Sequence, residues 1–444
     1  MPSAYVLVHA GKAIHLWLRL GAYLRHNERM SSRPGHIVVV GTGMVGLSTA
    51  WFLQAEGVRV TVVDRGGVAA GSSWGNAGWL APALTLPLPD PAILAGGIKA
   101  TLNPSSPVYV PLTTNPRLLK FLADFTRHCT PAKWRTAMSV FTEANRVSLG
   151  AFAEIEAGGL TEPTRLAEPF LAAFTSEADQ QKLVDEFAHV AELGGETDFV
   201  LLGSDEVHAL EPALGDAVTC GVQLNSQRFI NPGRFVHALA DAVRLRGGEI
   251  VDGVDVRGVR DTGTAVELEV RATRAIRADA VVIATGTWLG SLARDHGVKT
   301  IVQAGRGYSF TVQPEHMPRN PVYFPAQRVA GTPLGDGFRV AGMMEFRKPG
   351  APLDPRRVKA IVDAATPMLT GVDWAARTDE WVGSRPCTAD GLPLVGRTKS
   401  PRVFVSGGHG MWGIALGPLS GKLLAGQIVR GETPALLASL DPLR

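Results

Sequence analysis

His36-Ile37-Val38-Val39-Val40 runs without a break into Gly41-Thr42-Gly43-Met44-Val45-Gly46, and the reading of this stretch decides the fold. Five apolar or half-apolar residues form a buried strand, and three glycines turn it into a helix. The first glycine permits the tight turn, the second lets backbone approach a pyrophosphate, and the third lets helix pack closely on strand. The N–H groups at the start of that helix then face the phosphates. A helix over 47–56 stops at Gly57, and a second strand over 58–63 ends in Asp64, where a carboxylate can hold both hydroxyls of a ribose. The stretch is a dinucleotide cradle.

Working outward, a chain of 444 residues is too long for one compact core and fits two domains, or one domain with a large insertion. With 45% hydrophobic and 19% charged residues it is an ordinary globular chain. A formal charge of +3, with no dense Lys/Arg run between aromatics, gives no footprint for nucleic acid. The cysteines Cys129, Cys220 and Cys387 have no metal-type spacing and cannot all pair, so a reducing cytoplasm is expected and no metal site is assigned. Residues 5–24 are moderately apolar but carry Lys12, His15 and Arg19, which argues against a membrane span, and no signal-peptide cleavage site follows. Two readings remain for this segment. It is a basic amphipathic element in peripheral contact with the inner face of a membrane, or an upstream extension of a protein whose natural start is Met30; the second is preferred.

Further along, Gly71 to Gly78 is too rich in glycine and small polar residues for helix or strand and reads as a loop. Prolines at 82, 87, 89, 91, 104, 107 and 111 break regular structure in a covering segment. Helical patterns over 118–129, 133–156 and 177–193 look like an insertion. From Pro232 come a helix over 234–246 and strands near 249–259, 265–272, 275–277 and 280–284, which indicate a parallel sheet covered on both faces. Residues 301–346 give short strands broken by Gly and Pro, suiting an antiparallel sheet, with a helix over 355–368 behind them. A last strand over 403–406 meets Gly407-Gly408-His409-Gly410-Met411-Trp412-Gly413 and a helix over 416–429. A cofactor touched from both ends of the chain indicates a flavin more than a nicotinamide.

Five ordered blocks carry a family resemblance: the glycine loop with Asp64; Gly71-Ser72-Ser73 with Asn76-Ala77-Gly78; Ala284-Thr285-Gly286-Thr287-Trp288; Arg385-Pro386 with Asp390-Gly391-Leu392-Pro393; and Gly407-Gly408-His409-Gly410. In this order they resemble the FAD-dependent D-amino-acid oxidase superfamily, and within it the bacterial D-amino-acid dehydrogenases. The resemblance implies an α/β fold, with a Rossmann-type FAD-binding domain and an inserted α+β substrate domain on an antiparallel sheet. The expected division is an extension over 1–35, FAD-binding parts over 36–95, 225–298 and 378–444, and substrate parts over 96–224, with its helical cap, and 299–377. It also implies roles. Gly41, Gly43 and Gly46, with the adjoining Met44 and Val45, hold the pyrophosphate; Asp64 holds the adenosine ribose and Arg65 lies by the adenine. Ser72 and Ser73 reach the phosphates, and Asn76, Ala77 and Gly78 run along the isoalloxazine. Val256 offers backbone to the adenine, though an ordinary core valine explains it as well. Thr285, Gly286 and Trp288 close over the ribityl side, and Gly408, His409, Gly410, Met411, Trp412 and Gly413 form the carboxyl-terminal turn. A helix N-terminus there stabilises a reduced flavin by about 1–2 kcal/mol, or a few tens of millivolts.

For the substrate, the resemblance places a carboxylate-binding arginine at Arg385, whose fork matches a carboxylate. Tyr308 is a second candidate, donating to the carboxylate or capping the pocket, against a plain sheet tyrosine. His409 either donates to the flavin edge or is structural. Met343, Met344 and Phe346 line an apolar side-chain pocket or pack a core. The reaction implied is hydride transfer from the Cα of a D-amino acid to flavin N5, then hydrolysis of the imino acid to 2-oxo acid and ammonia. Positioning does most of this work. Glycine, sarcosine or D-hydroxyproline oxidation is the enzyme alternative, and a non-catalytic flavin-binding subunit is the other. The chain does not reveal its electron acceptor, whether oxygen, quinone or carrier, or whether Cys387 bears a covalent flavin.

Overall fold

The computed structural model describes residues 33–91, 103, 105–272 and 274–444. The expectations for 1–32, and for most of the proline-rich stretch between 92 and 104, lie outside the described residues.

Strand His36–Val40 is paired in parallel with Arg59–Val63 on one side and Ala280–Ile283 on the other. Glu249–Val251 and Val403–Gly407 extend the parallel sheet, and Leu394–Arg397 closes it antiparallel, six strands in all. Alternation divides the first strand between two cores. Ile37 and Val39 join the layer under helices Met44–Ala55, Pro232–Leu245 and Gly413–Arg430, while Val38 and Val40 face the other way. That other face corrects the sequence reading. The strands at Val256–Asp261, Val266–Val270 and Ile276–Ala278 do not enter the parallel sheet; they form an antiparallel sheet of three that covers it. Val266, Leu268 and Ala278 pack on Val38, Val40 and Val281. The single strand expected over 249–259 is therefore two, parted at 252–255 where the chain changes layer.

The second sheet has nine strands and is mixed, not antiparallel throughout. Val322–Phe324 runs parallel to Phe170–Phe174, and Val108–Tyr109 parallel to Gly337–Phe346. The region read as a helical cap thus supplies strands Phe170–Phe174, Phe199–Leu202 and Cys220–Leu224. Strand Thr378–Cys387, expected at the start of the third cofactor segment, pairs along Gln303–Val312 and is the edge of this sheet. Among the inserted helices, Pro116–His128 sets Leu118, Phe121 and Phe125 against Met344, Phe346 and Cys387. Helix Pro131–Ala157 instead joins the cofactor-side core through Phe141, Phe152 and Ile155.

Helix Gly413–Arg430 crosses Met44–Ala55 so closely that a Cβ on Gly421 would stand 2.7 Å from the Thr49 backbone nitrogen. Gly150, exposed within helix Pro131–Ala157, has nothing within 4 Å of its Cβ direction. Gly421→Ala is expected to lower the thermal midpoint, at about 1–3 kcal/mol of overpacking. Gly150→Ala is expected to raise it, by about 0.5–1 kcal/mol of restored helix propensity. Circular dichroism melts of the two variants check that they move in opposite directions.

Candidate active site

The first strand ends where backbones cross. Gly41 has φ +124°, and a Cβ there would lie 2.4 Å from the Ala284 carbonyl oxygen; one on Gly46 would lie 1.9 Å from the Gly41 oxygen. Helix Met44–Ala55 begins at Gly43 with no side-chain cap, so its first N–H groups open on the space beyond the strand. The Met44 N–H is the one that finds a side chain, donating to Ser73 Oγ at 3.2 Å. Asp64 accepts Thr42 N–H on Oδ2 at 3.0 Å and Gly66 N–H on Oδ1 at 2.7 Å. Its carboxylate therefore stitches the cradle together as well as facing the cavity.

The cavity beyond encloses about 1610 Å³, part of it open to solvent. Its wall contains most of the cofactor residues expected from sequence: Gly41, Gly43, Met44, Val45, Gly46, Asp64, Arg65, Ser72, Ser73, Asn76, Val256, Thr285, Gly286, Trp288, His409, Gly410, Met411 and Gly413. Arg385 and Pro386 reach it from the second sheet. Arg65 stacks its guanidinium 3.9 Å from the Trp288 ring centroid, joining the ends of two parallel strands across the cavity mouth.

Four expected residues are not in this wall. Gly78 is a packing glycine whose Cβ would meet the Ile230 oxygen at 2.1 Å, and Ala77 beside it also stays out of the lining. Gly408 points its Cβ direction at Thr388 and Leu394. Trp412 turns to the proline-rich segment and donates its indole N–H to the Leu86 oxygen at 2.7 Å.

The three candidates for chemistry part company. Arg385 lies on the cavity side of strand Thr378–Cys387, with Nη1 donating to the Met343 oxygen at 2.6 Å. Burial lowers its pKa, and no carboxylate faces it among the described residues. Tyr308 is on the opposite face of the neighbouring strand. It is 1% exposed, and its hydroxyl donates to Glu345 Oε2 at 2.7 Å, beside Arg306, whose Nη1 is 3.2 Å from the same oxygen. Burial first, then that hydrogen bond, holds the phenol protonated. The structure does not bring Tyr308 to the cavity, and parity is the reason. Arg385 is in register with Gly305, so odd-numbered residues of Gln303–Val312 share its face and Tyr308 faces away. Met343 goes to the core on that far side, and Met344 and Phe346 to the one beneath helix Pro116–His128, so the apolar-pocket reading for them is replaced by packing. His409 is at the wall, with Nε2 2.8 Å from Ser420 Oγ and Nδ1 unpartnered. Burial pushes its pKa down to about 4, so the imidazole is neutral at ordinary pH. Cys387, 1% exposed and with its thiol pushed up to about 12 by burial, stays protonated and gives no sign of a reactive thiol.

Sequence reading missed Thr42, buried with Oγ1 donating to the Gly67 oxygen, and Asp255, Arg257 and Ser406 in the wall. Thr42 sat inside the motif and could have been found by asking what braces the turn. Ser406 is the penultimate residue of the last parallel strand, near the carboxyl end where ligands gather in such sheets.

Residues 36–427 match the family model DAO, FAD dependent oxidoreductase. The D-amino acid dehydrogenases of two Cereibacter sphaeroides strains are 31% and 30% identical over 416 residues, covering 90% of this chain and 93% of each relative. Among solved structures, glycine oxidase from Geobacillus kaustophilus superposes with a TM-score of 0.69 at 20% identity, over 92% of this chain and 98% of that one. L-α-glycerophosphate oxidase from Mycoplasma pneumoniae, solved with FAD bound, gives 0.66 at 16%, over 89% and 94%. At those identities the structures speak for the fold alone.

The cavity fits FAD on its own terms. Buried Thr285 Oγ1, Thr287 Oγ1, Ser406 Oγ and His409 Nδ1 belong to residues of its wall and have no partner among the described residues. A buried polar atom left unpaired costs about 1–3 kcal/mol, so four in one wall mark the place of a ligand rich in donors and acceptors.

Because His409 titrates near 4 when folded and near 6.5 when released, the unfolded chain binds the extra proton between those values. The contribution of His409 to stability therefore falls as pH drops from about 6.5 to about 4, by up to about 3 kcal/mol, and levels off below. Because burial raises Glu186 to about 7 and gives it the opposite slope, the check is the difference in urea-unfolding stability between wild type and His409→Gln, which should shrink as pH falls across this range.

Proposed function

As this chain belongs to the DAO family of FAD-dependent oxidoreductases, we propose that it oxidatively deaminates D-amino acids. The observation that carries the reading is Arg385, a guanidinium drawn into the cavity wall with no acidic neighbour among the described residues. A half-buried charge without a counter-ion is costly, and an incoming carboxylate supplies one. Support for a D-amino acid comes from the relatives named D-amino acid dehydrogenase at about 30% identity along nearly the whole chain. The glycine or secondary-amine alternative has only distant structural likeness behind it and is not favoured.

When bound, FAD supplies the two-electron acceptor for the hydride leaving the substrate Cα, and the imino acid left behind is hydrolysed by water. The chain's own part is placement. Arg385 fixes the carboxylate, and walls from both sheets frame the cavity in which it is held. The start of helix Gly413–Arg430, with Gly413 and Ile414 in the wall, directs positive potential into the cavity. Neutral His409 can offer one hydrogen bond there but no charge. With Tyr308 withdrawn, the substrate carboxylate depends on Arg385 and on backbone.

Two measurements test this. Purified protein should carry an oxidised-flavin spectrum that bleaches anaerobically with D-amino acids and not with their L-enantiomers or with sarcosine. Arg385→Ala should lose about 2–5 kcal/mol in kcat/KM, the usual loss when one partner of a desolvated charge pair is removed. Unchanged kinetics in that variant would overturn the role of Arg385.

A further inference from the structure

We propose that Gly307 is the positioning residue for substrate recognition: the absence of its side chain is the bed on which the Arg385 guanidinium lies. The proposal rests on the reading of Arg385 as the carboxylate anchor and adds what aims it. Strands Gln303–Val312 and Thr378–Cys387 are antiparallel neighbours with Gly305 opposite Arg385 and Gly307 opposite Gly383. The arginine side chain leans along the sheet from its own rung to the next. A Cβ on Gly307 would stand 2.3 Å from Cζ and Nη2 of Arg385 and 2.7 Å from Nη1. The guanidinium fills the place of the missing methyl.

The third strand shapes the same spot from the other side. Pairing between Gln303–Val312 and Gly337–Phe346 slips between Arg306 and Tyr308, so that Met343 and Met344 together stand opposite Gly307. This is a β-bulge, and Met343 takes φ +66°, in the left-handed region that an unbranched side chain adopts only under constraint. The turned peptide brings the Met343 oxygen to Nη1 of Arg385 at 2.6 Å. One arm of the fork is thereby committed to backbone. Nε and Nη2 carry no hydrogen bond among the described residues, on a side chain that lines the cavity. Bed and bulge together leave one edge of the guanidinium for a carboxylate, in one orientation. An anchor held this way recognises the α-carboxylate by angle as well as charge, and an error of about 1 Å in such a group can cost up to about 100-fold.

The test is Gly307→Ala in the flavin-loaded enzyme. The three atoms nearest the added methyl are the far end of a flexible side chain, so flavin content and thermal midpoint should stay near wild type while Arg385 is displaced. KM for a D-amino acid should rise about 10- to 100-fold with kcat changed far less, and the inhibition constant of propionate, a carboxylate without an amine, should rise in parallel. A second comparison removes the dependence on one variant. Lysine has no planar fork to seat on the bed, so Gly307→Ala combined with Arg385→Lys should match Arg385→Lys alone in KM and in propionate inhibition. A wild-type KM and propionate constant in Gly307→Ala, with Arg385→Ala still defective, would overturn the positioning role and spare the anchor. So would a double variant much worse than Arg385→Lys. Wild-type values in both Gly307→Ala and Arg385→Ala would instead remove the anchor itself.

Discussion

Three backbone segments meet at the end of the first strand, and the rest of the molecule is arranged around that crossing. Gly41 approaches the Ala284 oxygen, and Gly46 approaches the Gly41 oxygen, at distances no side chain could share. The crossing brings helix Met44–Ala55 down onto the parallel sheet, and helix Gly413–Arg430 then packs on it through Gly417 and Gly421. Both helices start at the same cavity, one from each end of the chain. The sheet that carries Arg385 is fastened to this frame at specific points. The Ser72 hydroxyl donates to the Ser384 oxygen, Ser309 Oγ donates to the Gly75 oxygen at 3.0 Å, and the Trp381 ring fills the space left open by Gly75 and Gly383. Moving the cradle would therefore move the anchor.

Register is what keeps the anchor on the correct face. In strand Gln303–Val312 a shift of one residue would turn Arg306 and Tyr308 to the cavity and Gly305 and Gly307 to the core. The buried cluster on the far side forbids it. Arg306 and Glu345 are both 0% exposed; Arg306 donates to the Ala351 and Pro352 oxygens, and Glu345 also meets Arg347 at 3.2 Å. Buried ion pairs add little net stability against apolar substitutes, but removing one partner is costly. A slipped strand would break every contact that Arg306 makes here at once. The cluster acts on the cavity wall without touching the cavity, because it holds Gly307 on the face where the Arg385 guanidinium lies.

The cradle, the parallel sheet and most of the cavity wall were legible in the sequence because their signals are local. Strand, glycine turn and helix lie within about twenty residues, and four of the five blocks lie at a strand end or a helix start, the Gly71–Gly78 loop being the exception. What stayed hidden depended on non-local pairing. Nothing in Thr378–Cys387 says that it pairs with Gln303–Val312, and without that register the face of Tyr308 cannot be assigned. The three strands after Glu249 have apolar alternation that suits either sheet, and only their partners settle which. Gly408 and Trp412 were placed with the cofactor because they sit inside a glycine-rich turn. In such a turn successive residues point in different directions, toward Thr388 in one case and toward Leu86 in the other.

Burial has removed His409 in the cavity wall, and Cys387 beside it, from acid–base work. His409 is held neutral and Cys387 holds its proton at ordinary pH, while Tyr308, also protonated, faces another core. Of the arginines in the wall, Arg257 is paired with Asp255 and Arg65 lies against the Trp288 ring, while Arg385 has no acidic neighbour among the described residues. The fixed electrostatics are thus a guanidinium in the wall and a helix N-terminus opening into the same cavity. Both favour negative charge, the first on a bound acid and the second on a group that gains electrons. Neither takes up a proton. A site built this way suits a reaction in which the substrate reaches the cavity with its amine already neutral and a hydride is what must move.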